Sequence, residues 1–86
     1  MPEICRFFGI SIKMYFADHP PPHFHAEYGE YDAVIDIHNL VVIGGSLPPR
    51  ALGLVIEWAA QHQADLLKLW ERAANYQPLH KLPPLT

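Results

Sequence analysis

Apolar and polar residues alternate through the first half of the chain and recur at helical spacing through the second. The stretch "ICRFF-G-ISIKMYF" is rich in β-branched and aromatic residues around one glycine, and reads as two strand segments joined or kinked at Gly9. In the second segment Ile10, Ile12, Met14 and Phe16 alternate with Ser11, Lys13 and Tyr15, the period of a half-buried strand. "DHPPPH" cannot pair in a sheet, because its three prolines have no N–H and a fixed φ, so it predicts a stiff connector. "HFHAEY" and "YDAVIDI" predict strands flanking a hairpin turn at Gly29–Glu30. "LVVI" predicts a short further strand, and "GGSLPP" punctuates the crossing into helix.

From Pro49 to Tyr76 only Gly53 interrupts a helical pattern. Leu52, Val55, Ile56 and Ala59 form one apolar stripe, and Leu66, Leu67, Trp70, Ala73 and Ala74 a second, with the polar "QHQAD" between them. The pattern predicts two helices packed as a hairpin, with one long bent helix as the alternative. Leu54, Trp58 and Leu69 fall off the main stripes, a surplus that points to a homodimer or partner contact through the helices. The prediction is an α+β domain: an antiparallel sheet of about four strands (residues 3–43) followed by two helices (residues 49–75) packed on one face. Residues 1–86 form a single domain, with 77–86 an extended tail lying on the surface or on a partner.

Length and composition support this outline. Eighty-six residues allow one domain, and half of them are apolar, enough for a compact core. A single cysteine, Cys5, rules out an internal disulfide framework and reads as a small core residue in a reducing setting. The N-terminus shows no basic start followed by an apolar run, and no apolar run approaches the roughly 18 residues of a membrane span, so the expected location is the cytoplasm. Six Lys/Arg against nine Asp/Glu give a net charge of −3, and the cations are scattered. Duplex DNA is therefore an unlikely partner, whereas an RNA site built on a few local cations stays open.

Candidate chemistry concentrates on the sheet face that the helices leave uncovered. Alternation turns Phe24, Ala26 and Tyr28 toward the helices and His23, His25 and Glu27 outward. The same rule sends Ser11, Lys13, Tyr15, Asp32 and Asp36 outward, and Ala33, Ile35 and Ile37 inward. Three readings fit this set. His19, His23, His25 and Glu27 offer the ligands of a divalent transition metal, zinc or iron. Alternatively His23 and His25 act as a general acid–base pair on a phosphodiester, with Lys13 or Arg6 stabilising charge and Tyr15 orienting or stacking on a base. In the third reading the prolines and histidines form a structural clasp, with imidazoles bonded to backbone groups, Asp18 or Glu27. His38 reads as a turn residue, His62 and His80 as solvated, and Trp58 and Trp70 as helix-packing residues.

Taken together, "MPEICRFFGISIKMYF", "DHPPPHFHAEYGEYDAVIDI", "GSLPPRAL" and "EWAAQHQADLLKLWE" resemble the small bacterial family known as domain of unknown function 4160. The likeness runs in order over nearly the whole chain, with "PPHFHAEYG" its most specific element and Pro20 a local addition. Members of that family are typically encoded beside another small family, domain of unknown function 2442, so the resemblance implies a small cognate protein partner. It also implies the toxin-like component of a toxin–antitoxin type pair, acting on RNA through the histidine-rich face. The competing expectation is a non-enzymatic metal-binding or protein-interaction module using His23, His25 and Glu27.

Overall fold

The structure is a computed structural model that describes residues 2–86. Five strands precede two helices: β1 (Glu3–Phe7), β2 (Ile10–Lys13), β3 (His23–Tyr28), β4 (Tyr31–Asp36), β5 (Val42–Gly45), α1 (Pro49–Gln61) and α2 (Gln63–Ala74). The strands form one antiparallel sheet in the order β1-β2-β3-β4-β5, each paired with its neighbour in sequence. The fifth strand arises because Gly9 makes a full turn rather than a kink. Phe8 and Gly9 both have positive φ, +48° and +79°, the backbone of a two-residue turn that matches strand twist. β3 and β4 meet at Gly29–Glu30 as the pattern predicts, with Gly29 at φ +57°.

Side-chain alternation sets the layers. Ile10, Ile12, Phe24, Ala26, Ala33 and Ile35 are buried under the helices, and Met14 and Ile37 continue the layer past the strand ends. Tyr28 and Phe16, expected inward, are exposed, and each lies at or beyond a strand end. The buried helix positions are Ala51, Val55, Trp58 and Ala59 on α1 and Leu66, Leu69 and Ala73 on α2. The apolar stripes are thus rotated from the sequence reading: Trp58 and Leu69 lie at their centre. That absorbs most of the apolar surplus that pointed to a helix-mediated dimer. The helices join through His62 alone, tighter than the two- to five-residue loop of a helical hairpin. The His62 ring is half-buried against Trp58, with centroids 5.2 Å apart, rather than solvated.

Residues 77–86 have no regular secondary structure and dock on their own domain. Leu82 and Leu85 are buried, the Leu82 N–H donates to the Ile4 carbonyl at 2.8 Å, and the Trp58 indole N–H donates to the Pro83 carbonyl at 2.8 Å. The tail therefore covers part of the β1 edge, while β5 forms the other edge.

Gly45 closes β5 with φ +66°, and a Cβ built there would overlap the Asp32 carbonyl oxygen across the β4–β5 pairing. Neither strain can be relieved by a rotamer change. Gly45→Ala is expected to destabilise the domain by about 2–4 kcal/mol, from the left-handed φ plus the forced backbone shift. Urea denaturation compared with Gly53→Ala, where a helical glycine has open space, provides the check. An equal effect at both positions would refute the assignment.

Candidate functional site

The proline connector between β2 and β3 is held at both ends and along its length. Ala17 has φ +52° and donates its N–H to the Ala73 carbonyl at the end of α2, 3.1 Å away. Phe16 stacks on Tyr76 with ring centroids 6.3 Å apart, and the Pro22 carbonyl accepts from the Ile37 N–H at 3.0 Å. These ties place Asp18 beside the first residues of β3. One carboxylate oxygen, Oδ1, accepts the backbone N–H of His19 at 2.8 Å. The other, Oδ2, lies 2.9 Å from His23 Nε2 and 3.4 Å from His25 Nε2. A donor atom from each of Asp18, His23 and His25 lies within 4.8 Å of the others.

The surroundings fix the ring orientations. His23 Nδ1 sits 2.7 Å from the Pro21 carbonyl oxygen, which can only accept, so Nδ1 carries a proton. The His23 ring is packed between Trp70 of α2 (4.9 Å between centroids) and the His25 ring (5.3 Å). This makes His23 buried, at 7% exposure, rather than open to solvent as alternation alone predicts. His25 remains half-buried on the open face, with Tyr15 edge-on to it at 4.4 Å. Burial pushes the Asp18 carboxyl upward. The His19 amide, together with the two imidazoles when they donate N–H to it, outweighs that effect and holds it below the ordinary carboxylate range.

Several other predicted site residues have different partners. His19 is exposed and contributes its backbone, not its ring, to the cluster. Glu27 pairs with Lys13 at 2.9 Å rather than joining the histidines, and this bond raises the Lys13 pKa. Arg6 pairs with Glu3 at 2.8 Å, and Glu3 also accepts from the Ser11 hydroxyl, which lowers the Glu3 pKa and leaves Ser11 buried. Asp36, expected outward, is buried because its carboxylate caps the turn after β4, accepting the N–H groups of His38 and Asn39. The Asn39 amide is the main reason its pKa is lowered. His38 and His80 are exposed, and Cys5 is buried, its thiol pushed up by desolvation.

The structure therefore brings together His23 and His25 from the predicted metal and catalytic sets, with Tyr15 alongside. It adds Asp18, which the sequence pattern offered only as a hydrogen-bond partner. The one available signal was a carboxylate five residues before His23 across a connector too stiff to swing away.

A family model with the description "Domain of unknown function (DUF4160)" matches residues 9–71, more than half of the chain and all of the site. No curated protein and no solved structure matches the chain. No helix among the described residues is long and apolar enough to cross a membrane.

Proposed function

For a chain that belongs to the family described as Domain of unknown function (DUF4160), we propose a metal-binding role: Asp18, His23 and His25 hold a divalent transition metal, zinc or ferrous iron. One observation carries this reading. With Nδ1 donating to Pro21, a neutral His23 turns the Nε2 lone pair toward Asp18 Oδ2 at 2.9 Å, acceptor against acceptor. Only a second proton on His23 or a cation among the three groups makes that arrangement favourable. The two carboxylate–imidazole separations, 2.9 and 3.4 Å, bracket the roughly 3.3 Å expected between neighbouring ligands at metal–ligand distances near 2.0–2.1 Å, and all three donor atoms lie within 4.8 Å of one another. The Pro21 carbonyl on His23 Nδ1 and the His19 amide on Asp18 Oδ1 are the outer contacts that orient such ligands. Three protein ligands leave a coordination position for water or substrate, as in catalytic zinc and non-haem iron sites.

The test is calorimetric titration of protein purified without an affinity tag, with zinc chloride and, anaerobically, with ferrous sulfate. About one ion per chain should bind. Absence of saturable binding by either ion would remove the metal reading.

A toxin-type action on RNA is the second reading, favoured by the placement of Tyr15 against His25 on the open face. It ranks behind the metal because Lys13 and Arg6, the cations closest to that face, are both held by carboxylates. Phosphate binding there would have to break those pairs. Growth arrest on induction of the protein alone, abolished by His25→Ala in metal-depleted medium, would reverse the ranking.

A further inference from the structure

The sheet carries a second feature at the end away from Asp18. β3 runs about 17 Å from His23 to Tyr28, and at its far end two hairpin tips meet. A Cβ on Gly9 in the first tip would touch the Tyr28 ring beside the second tip at 3.5 Å. The first turns of α1 lie against them, leaving a groove of about 240 Å³ walled by Phe8, Ile10, Tyr28, Ala51 and Leu54, with Arg50 the only charged residue on its lining among the described residues.

Three observations mark this groove as more than a packing defect. Phe8 is 62% exposed and held at φ +48°, in a turn position that suits Asn, Asp or Gly, and its one ring partner among the described residues is Phe7. Tyr28 and Tyr31, paired across the second tip, are also exposed and extend the apolar rim. Arg50, like Lys68, Arg72 and Lys81, makes no ion pair among the described residues, but it alone of these lines the groove. Exposed aromatics around a groove with an unpaired arginine match the make-up of protein-interface hot spots. The volume falls below the roughly 300 Å³ of small-molecule sites, yet suffices for one bulky side chain.

We propose that this groove docks a partner polypeptide, which inserts one bulky apolar side chain between Phe8, Tyr28 and Leu54 and places an adjacent carboxylate on Arg50. The partner's carboxylate follows from local charge complementarity: among the described residues Arg50 is the one charged side chain lining the apolar recess, and no carboxylate pairs with it. The inference is independent of metal binding at Asp18.

The full-length ¹⁵N-labelled protein is titrated, by amide NMR, with the acetylated and amidated tetrapeptide Gly-Phe-Asp-Gly. Gly-Phe-Lys-Gly and Gly-Ala-Asp-Gly serve as the charge and anchor controls. Saturable shifts are expected around residues 8–10, 28–31 and 50–54 with the first peptide, weakened roughly fivefold with lysine in place of aspartate. Arg50→Glu should reverse that preference. Phe8→Asn should abolish binding without unfolding the hairpin, since asparagine tolerates the left-handed backbone. No saturable shift, or equal affinity for the Asp and Lys peptides, would overturn the proposal. So would a wild-type dimer in sedimentation equilibrium that Phe8→Asn converts to monomer, because that result assigns the groove to a second copy of the chain.

Discussion

Asp18→Asn is expected to weaken zinc or ferrous binding by at least about 100-fold, while leaving the metal-free domain as stable as wild type or slightly more so. The two halves of this expectation have one cause. If His23 stays neutral without metal, it and the Asp18 carboxylate present lone pairs to each other at 2.9 Å. An asparagine side chain of the same shape can turn its NH₂ toward His23 Nε2 and donate, so the conflict disappears along with the anionic ligand. If His23 is instead held as an imidazolium in a structural clasp, Asp18→Asn removes a charge-assisted bond in a half-buried setting. It would then destabilise the protein by about 1–3 kcal/mol, with no metal affinity to lose. Urea denaturation in the presence of chelator and calorimetric metal titration thus separate the two readings with a single variant. Two controls sharpen the outcome. His19→Ala should leave metal affinity within about threefold of wild type, because its exposed ring takes no part and its backbone N–H is retained. Glu27→Gln should do the same, since Glu27 belongs to Lys13. A large loss of metal affinity in either control would relocate the site.

Period-two alternation located the histidine strand and the buried layer, because a strand paired on both sides has no other way to place its side chains. Element order and the α+β class were legible for the same reason. Alternation did not foresee the flanks. It places His23 on the outer face, but cannot anticipate Trp70 of α2 packing against its ring. Strand ends escaped it as well: Phe16 and Tyr28 keep the inward phase yet are exposed. Asp18 escaped because it lies in a connector without periodicity, whose path is set by contacts to Ala73 and Tyr76 some sixty residues later in the chain. Turn chemistry hid the first hairpin. Phenylalanine is a poor residue for a left-handed turn position, so "FFGIS" looks like a kinked strand until the backbone is seen. The groove between the hairpin tips has the same origin, as its lining comes from three separate segments that no local pattern connects.

Trp58→Ala is expected to cost about 3–5 kcal/mol, against a total stability of about 4–13 kcal/mol for a domain of this size. Trp58 is fully buried at the centre of the core, its ring 5.6 Å from Phe7, 6.0 Å from Phe24 and 5.2 Å from His62. It thereby joins the sheet, α1 and the break between the helices. Its indole N–H also holds the Pro83 carbonyl, tying the tail to the body. Trp58→Phe separates these roles. Most of the ring packing survives, but the hydrogen bond is lost, for an expected cost of about 1–2 kcal/mol beyond the smaller ring's packing loss. The smaller variant should also release the tail locally. Amide exchange at Leu82, whose N–H reaches the Ile4 carbonyl on β1, should accelerate well before the β3 amides do. If Leu82 exchange is unchanged in Trp58→Phe, the tail is held by Leu82 and Leu85 burial and by its other hydrogen bonds, to the Ile4 carbonyl and from Arg72, and the indole bond carries no part of the coupling. If Trp58→Ala costs less than about 1 kcal/mol, the tryptophan is not the centre of this core. The sheet would then have to be held by the aliphatic layer of Ile12, Ile35, Val55 and Leu66 without an aromatic at the join.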